Sequence, residues 1–204
     1  MEDLMTAEQT TNTILIGLRL WLFRGMVLAG AGFMLFSWYS PWWGASISDL
    51  LGRDHMLMRP WGVEVIASEI RVYSNQALYS MPAFFAPLMW TYLGLCMVAL
   101  AISLFVEKQI FLGRFRPSFP QVLIGLVGLS YLIAVATAFA IAQIRGGAGG
   151  VDFVGTSLVL NPMTGSNTRF IGELKLGYWS AIGAGAFLVA LAGLRNLIVG
   201  KARS

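Results

Sequence analysis

The sequence predicts an all-α integral membrane protein, a bundle of four transmembrane helices under a small β-containing extracytoplasmic cap made by two loops. Composition is the first observation behind this. Of 204 residues, 57% are apolar and only 12% charged, with a mean hydropathy of +0.70, whereas soluble domains carry about 25% charged residues. The spacing of charge is the second. Stretches 25–48, 72–106, 117–144 and 176–194 contain no Asp, Glu, Lys or Arg, and each reaches the roughly 18 residues that a spanning helix needs. The third is Phe36-Ser37-Trp38-Tyr39-Ser40-Pro41-Trp42-Trp43-Gly44. Indole and phenol rings collect at membrane interfaces because an apolar body carries one group that wants water.

Residues 1–12 are polar and read as frayed, with Thr11, Asn12 and Thr13 as caps for a helix starting near Ile14. The acidic start Met1-Glu2-Asp3 lacks the basic region of a signal peptide, so the first apolar run is expected to stay as a helix. Arg19 and Arg24 place its inner end at the interface, where long basic chains snorkel. The first span covers about 20–40 and stops at Pro41. A larger external loop, about 41–82, mixes acids and bases; a short helix is expected at 48–51 and strands at 63–66 and 70–73, where β-branched residues gather. The second span is expected at about 84–106, with Trp90 and Tyr92 near the outer interface. The third lies at about 121–143, after a short basic connector.

The second external loop, about 145–173, opens on Gly146-Gly147-Ala148-Gly149-Gly150, read as a hinge because glycine runs weaken regular elements. Strand-like segments follow at 151–154 and 157–160, with 168–171 pairing back as a hairpin. The fourth span covers about 174–199. Gly177, Ala181 and Gly185 lie four apart on it, as Ala134, Ala138 and Ala142 do on the third. Small residues permit close backbone approach in lipid, so these two faces are expected to meet.

Basic residues near span ends set orientation. Arg19, Arg24, Lys108, Arg114, Arg116, Arg195, Lys201 and Arg203 flank the N-terminus, the short connector and the C-terminus. The loops opposite hold six basic residues diluted by six acids. Both termini are therefore expected in the cytoplasm of a multi-pass cell-membrane protein. The net charge of +4 belongs to this topology, and no nucleic-acid surface is expected.

Few residues suggest chemistry. Arg24 and Glu107 share a depth near the inner edge and could pair, either as an interfacial contact or as an ion relay. No acid or histidine sits in the middle of a span, which argues against a proton pump or ion-coupled transporter. His55 with Met56 and Met58 is a soft donor set that suits copper, although methionine as a filler of the loop core is the default reading. Nucleophile elbows, zinc-protease motifs, paired cysteines and phosphate loops do not occur, and the lone Cys96 allows no internal disulfide. A catalytic role is not expected.

Four spans, cytoplasmic termini, a longer strand-bearing first loop and a shorter second one resemble the layout of claudin-like tetraspan proteins. Trp42-Trp43-Gly44 is the nearest match to that family's first-loop signature of Trp, Gly-Leu-Trp and two cysteines, and the cysteines have no counterpart here. The resemblance implies a left-handed four-helix bundle, a small external sheet, and lateral association with other membrane proteins. The expected role is a non-catalytic subunit that scaffolds or stabilises a larger membrane complex or homo-oligomer, in contact with the lipid bilayer. The alternatives are binding of a small molecule or lipid in an outer cavity lined by Trp38, Trp42, Trp43, Trp61 and Trp90, and a copper-associated accessory role.

Overall fold

The computed structural model describes residues 2–47 (side chains from 17), 56–66, 82–106, 108–110, 117–148, 152–160, 165 and 167–199. These form α1 (Glu2–Tyr39), β1 (Trp43–Ile47), β2 (Met56–Arg59), β3 (Gly62–Val65), α2 (Phe85–Phe105), α3 (Phe119–Ala148), β4 (Gly155–Leu160), β5 (Asn167–Leu174) and α4 (Leu176–Ile198). Gly17–Tyr39, Phe85–Phe105, Phe119–Gly147 and Leu176–Ile198 are each long and apolar enough to cross a membrane. Their outer faces expose Leu18, Trp21, Leu28, Leu95, Leu126, Ile144 and Leu197, surface that water would penalise by about 25 cal/mol per Å².

The four helices and the sheet give a tetraspan layout. α4 is the central helix, packed along both α1 and α3, while α2 leans mainly on α3. The seam between α3 and α4 is built on glycine. A Cβ at Gly128 would come within 2.9 Å of the Gly185 carbonyl and of Leu188, and one at Gly125 within 3.3 Å of Ala192. Leu132 fills the space over Gly185. Gly125, Gly128 and Leu132 of α3 make close approaches to α4, whereas the expected Ala134, Ala138 and Ala142 line a cavity. At about 100° of rotation per residue, that alanine row faces a different side of the helix, and a glycine row allows the closer approach.

α1 ends where Pro41 bars further helix: the Ser40 N–H closes the last turn on the Phe36 carbonyl at 3.1 Å, and a residue before proline is pushed out of helical geometry. The chain then enters the middle of a five-stranded antiparallel sheet ordered β3-β2-β1-β5-β4. β1 takes one partner from each loop, with Trp43 opposite both Met58 and Leu174, and Ala45 opposite both Met56 and Gly172. The two loops therefore fold as one cap on one end of the bundle.

Adjacent tryptophans join the two cores. Successive strand residues face opposite sides, so Trp42 packs in the bundle core with Met34, Trp38, Tyr131 and Leu188, while Trp43 enters the cap core with Ala45, Met56, Phe153 and Phe170. The Trp42 backbone is held on both sides, its N–H donating to Met58 at 2.8 Å and its carbonyl accepting from Lys175 at 2.9 Å. Gly177 lies under this junction, where a Cβ would fall 2.5 Å from the Ser40 and Pro41 carbonyl oxygens.

Several local expectations need correction. α1 begins at Glu2, not near Ile14, because extending a formed helix adds a hydrogen bond per residue without a new nucleus. Gly146 and Gly147 continue α3 to Ala148; the cost of about 1 kcal/mol per helical glycine is met by packing of Phe139 and Ala142 against the cap core. Residues 152–154 lead into β4 without joining it, since Gly155 turns the chain with a φ of 125°. Strands β1 and β2 were not anticipated. The expected helix at 48–51 and strand at 70–73 lie outside the described residues.

Candidate functional site

A cavity of about 410 Å³ lies between α2, α3 and the underside of the cap. α3 supplies one long wall through Ser130, Ile133, Ala134, Thr137, Ala138, Ile141, Ala142, Arg145 and Gly146. These positions follow the i, i+3, i+4 spacing of a single helix face. Phe85 and Met89 of α2 stand across from them. The cap closes the end with Trp42, Trp43, Met58, Arg59, Val63, Phe153 and Phe170.

Hydrogen bonds and ring stacking fix the aromatic end of the cavity. Trp43 donates its indole N–H to the Phe153 carbonyl, and the two rings stack with centroids 4.9 Å apart and planes 9° from parallel. Gly172 lies under the Trp43 ring, where a Cβ would be 3.1 Å from the indole nitrogen. Phe139 meets Phe153 edge-on at 6.0 Å. Trp42 donates its indole N–H to the Ser37 carbonyl at 2.9 Å, and Ser37 shares a 2.7 Å hydrogen bond with the Tyr131 hydroxyl. Both indoles are therefore held rigidly.

Charge is confined to the cap end of the cavity. Arg145 stands in the last turn of α3, where the helix dipole favours a cation. Arg59 donates to Glu64 across the β2–β3 turn and lies 5.8 Å from the Trp61 ring. Asp152 completes the charged rim. At the far end the Ser130 hydroxyl donates to the Val127 carbonyl at 3.0 Å and lies 3.1 Å from the Tyr92 hydroxyl, so its hydrogen-bonding capacity is largely used within the helices.

The five tryptophans separate into distinct places. Trp42 and Trp43 line the cavity. Trp38, Trp61 and Trp90 form a second group with Tyr39, with Trp61 and Trp90 centroids 5.1 Å apart and Trp38 6.0 Å from Trp90. This group clamps the β2–β3 turn to the ends of α1 and α2 and is not part of the cavity wall. Gly177, Ala181 and Gly185 are buried on α4. Ala134, Ala138 and Ala142 line the cavity.

Arg24 lies 5.8 Å from the Trp21 ring, and Glu107 lies outside the described residues, as does His55. Met56 is fully buried in the cap core, and Met58 lines the cavity. No group of three or more His, Cys, Asp or Glu side chains placed to hold a metal occurs among the described residues.

Sequence reasoning missed Phe85, Met89, Ser130, Thr137, Arg145, Phe153 and Phe170 as cavity residues. One signal was present: a second row of small side chains on the third span, read only as a surface for another helix. A small-residue row leaves room, and the room is filled by a neighbouring helix only if one lies there. No protein-family model matches the chain, and no curated protein matches it.

Proposed function

We propose that this is a multi-pass membrane protein that binds an apolar or amphiphilic small molecule between its helical bundle and its extracytoplasmic cap, with both chain ends in the cytoplasm. The observation that carries the reading is the cavity itself: about 410 Å³, within the range of about 300–1,000 Å³ typical of ligand pockets, walled by apolar side chains and rimmed by a few charges. Its rigid indoles are preformed, which reduces the ordering cost of binding.

The test is binding of a dansyl-labelled fatty acid to the detergent-purified protein. Wild type raises the dansyl emission saturably. Thr137→Phe, which fills the cavity from its outer edge, abolishes the rise, whereas Ala136→Phe on the neighbouring exposed surface leaves it unchanged. Equal binding by all three proteins would overturn the reading.

A second reading, as a subunit of a larger membrane assembly, is favoured by α2. This helix buries only Leu93, Cys96, Leu100 and Ser103 and leaves Leu88, Leu95, Val98 and Ile102 exposed, an outer face suited to another helix as well as to lipid. Cross-linking in native membranes from positions 95 and 98 distinguishes the two neighbours.

A further inference from the structure

Resting on the cavity reading above, we infer that the occupant is a bilayer amphiphile whose acyl chain lies along α3 and whose anionic head sits at the Arg145 end. Three features of the cavity lead to this ligand class.

The first is shape. The wall from Ser130 to Arg145 runs about 22 Å at 1.5 Å per residue, more than the depth of one leaflet in a hydrocarbon core of about 30 Å. Its middle is made of Ala134, Thr137, Ala138 and Ala142, small side chains that leave a long slot instead of a rounded chamber. A flexible chain fits a slot better than a fused-ring ligand of the same volume.

The second is polarity along that length. Arg59, Arg145 and Asp152 all stand at the cap end, while the hydroxyl at the opposite end, Ser130, already has partners within the bundle. A ligand with polar groups at both ends would leave one of them buried without a partner. Beside its bond to Glu64, Arg59 keeps a buried Nε–H without an acceptor, and a guanidinium pairs with a phosphate or carboxylate oxygen through parallel hydrogen bonds. The head is therefore an oxyanion, carried by a phospholipid or by a free fatty acid.

The third is access. Ile133 and Ile141 line the cavity and yet are 57% and 51% exposed on the outer surface of the helices. The slot thus opens sideways between α2 and α3, at a depth where the surrounding medium is lipid. An acyl chain enters by lateral movement without crossing water.

The experiment uses the full-length protein reconstituted in phosphatidylcholine vesicles containing equal minor fractions of phosphatidylglycerol and oleate. The protein is then extracted in mild detergent and its bound lipid quantified by native mass spectrometry. Wild type retains one of the two anionic amphiphiles about tenfold above its bulk proportion, and which one it retains identifies the source of the oxyanion. Arg145→Gln, and separately Arg59→Gln, bring that enrichment towards the bulk ratio while lipid remains bound. Thr137→Phe removes bound lipid of every kind.

Retention of phosphatidylcholine in bulk proportion, still blocked by Thr137→Phe, overturns the anionic head but leaves the cavity reading intact. Equal retention by wild type and Thr137→Phe overturns the cavity reading itself. Thermal midpoints measured for each variant in the same detergent separate loss of binding from loss of fold; should Thr137→Phe fail to fold, Ala134→Leu narrows the same slot and carries the same two outcomes.

Discussion

Trp42 and Trp43 are adjacent in sequence, yet their indoles sit in different cores because Trp42, just before β1, is already bonded to Met58 and Lys175 on both sides, and extended backbone turns successive side chains to opposite faces. Trp42 is 3% exposed and Trp43 2%. Each is both a large apolar body and a donor with a backbone acceptor. The two contributions separate by substitution. Trp42→Ala leaves a large cavity and is expected to cost about 3–5 kcal/mol. Trp42→Phe keeps most of the ring and strands the Ser37 carbonyl, for about 1–3 kcal/mol. Trp21→Ala, at a side chain 70% exposed, should stay within about 0.5 kcal/mol. Thermal unfolding in detergent, followed by near-ultraviolet circular dichroism, ranks the three. A Trp42→Ala protein as stable as Trp21→Ala would refute the junction described here.

Among the elements, β1 carries the cap. It pairs with β2 of the first loop on one edge and with β5 of the second on the other, so every backbone N–H in its middle belongs to a ladder. Ala45→Pro removes one such donor and cannot be tolerated in a central strand. The expected consequence is separation of the two hairpins with the bundle retained. Limited trypsin digestion of detergent-solubilised protein reads this as faster cleavage after Arg59 and Arg169, with the helical far-ultraviolet signal little changed. Unaltered digestion kinetics would show that β1 does not join the loops. The element scale also shows where sequence patterns mislead. β1 was not legible because Trp43-Gly44-Ala45-Ser46-Ile47 lacks a β-branched run, and its strand state comes from pairing on both edges. β3 was legible, within a residue, because Val63 and Val65 alternate with Glu64.

At the scale of the whole molecule, the sheet lies at the opposite end of the helices from the start of α1 and the end of α4. From the excess of basic residues on the short flanks we propose that the sheet faces the outside. In a Cys96→Ala background, Leu158→Cys on the cap is expected to react with a membrane-impermeant maleimide in intact cells. Lys108→Cys, on the connector between α2 and α3, should react only after permeabilisation. The reverse pattern would invert the proposed orientation.

The sequence by itself determined the number of helices, their approximate limits and the presence of strands in both loops, because apolar run length and backbone satisfaction in lipid leave little choice. Of the tryptophans it offered as walls of an outer cavity, Trp42 and Trp43 line one, whereas Ala134, Ala138 and Ala142, which also line it, were expected against another helix. Tertiary structure alone decided which rows of small residues meet. Gly125 and Gly128 received α4, and the alanine row was left facing a space under the cap. Periodicity shows that a helix face is narrow or small, but what stands opposite depends on the order in which helices pack, a long-range property that no local window contains. The same reason explains the tryptophans. Their number and their place at the end of an apolar run are written in the chain, whereas the division of Trp42, which shares the bundle core with Trp38, from Trp43 in the cap core follows from a chain that enters the sheet at its centre.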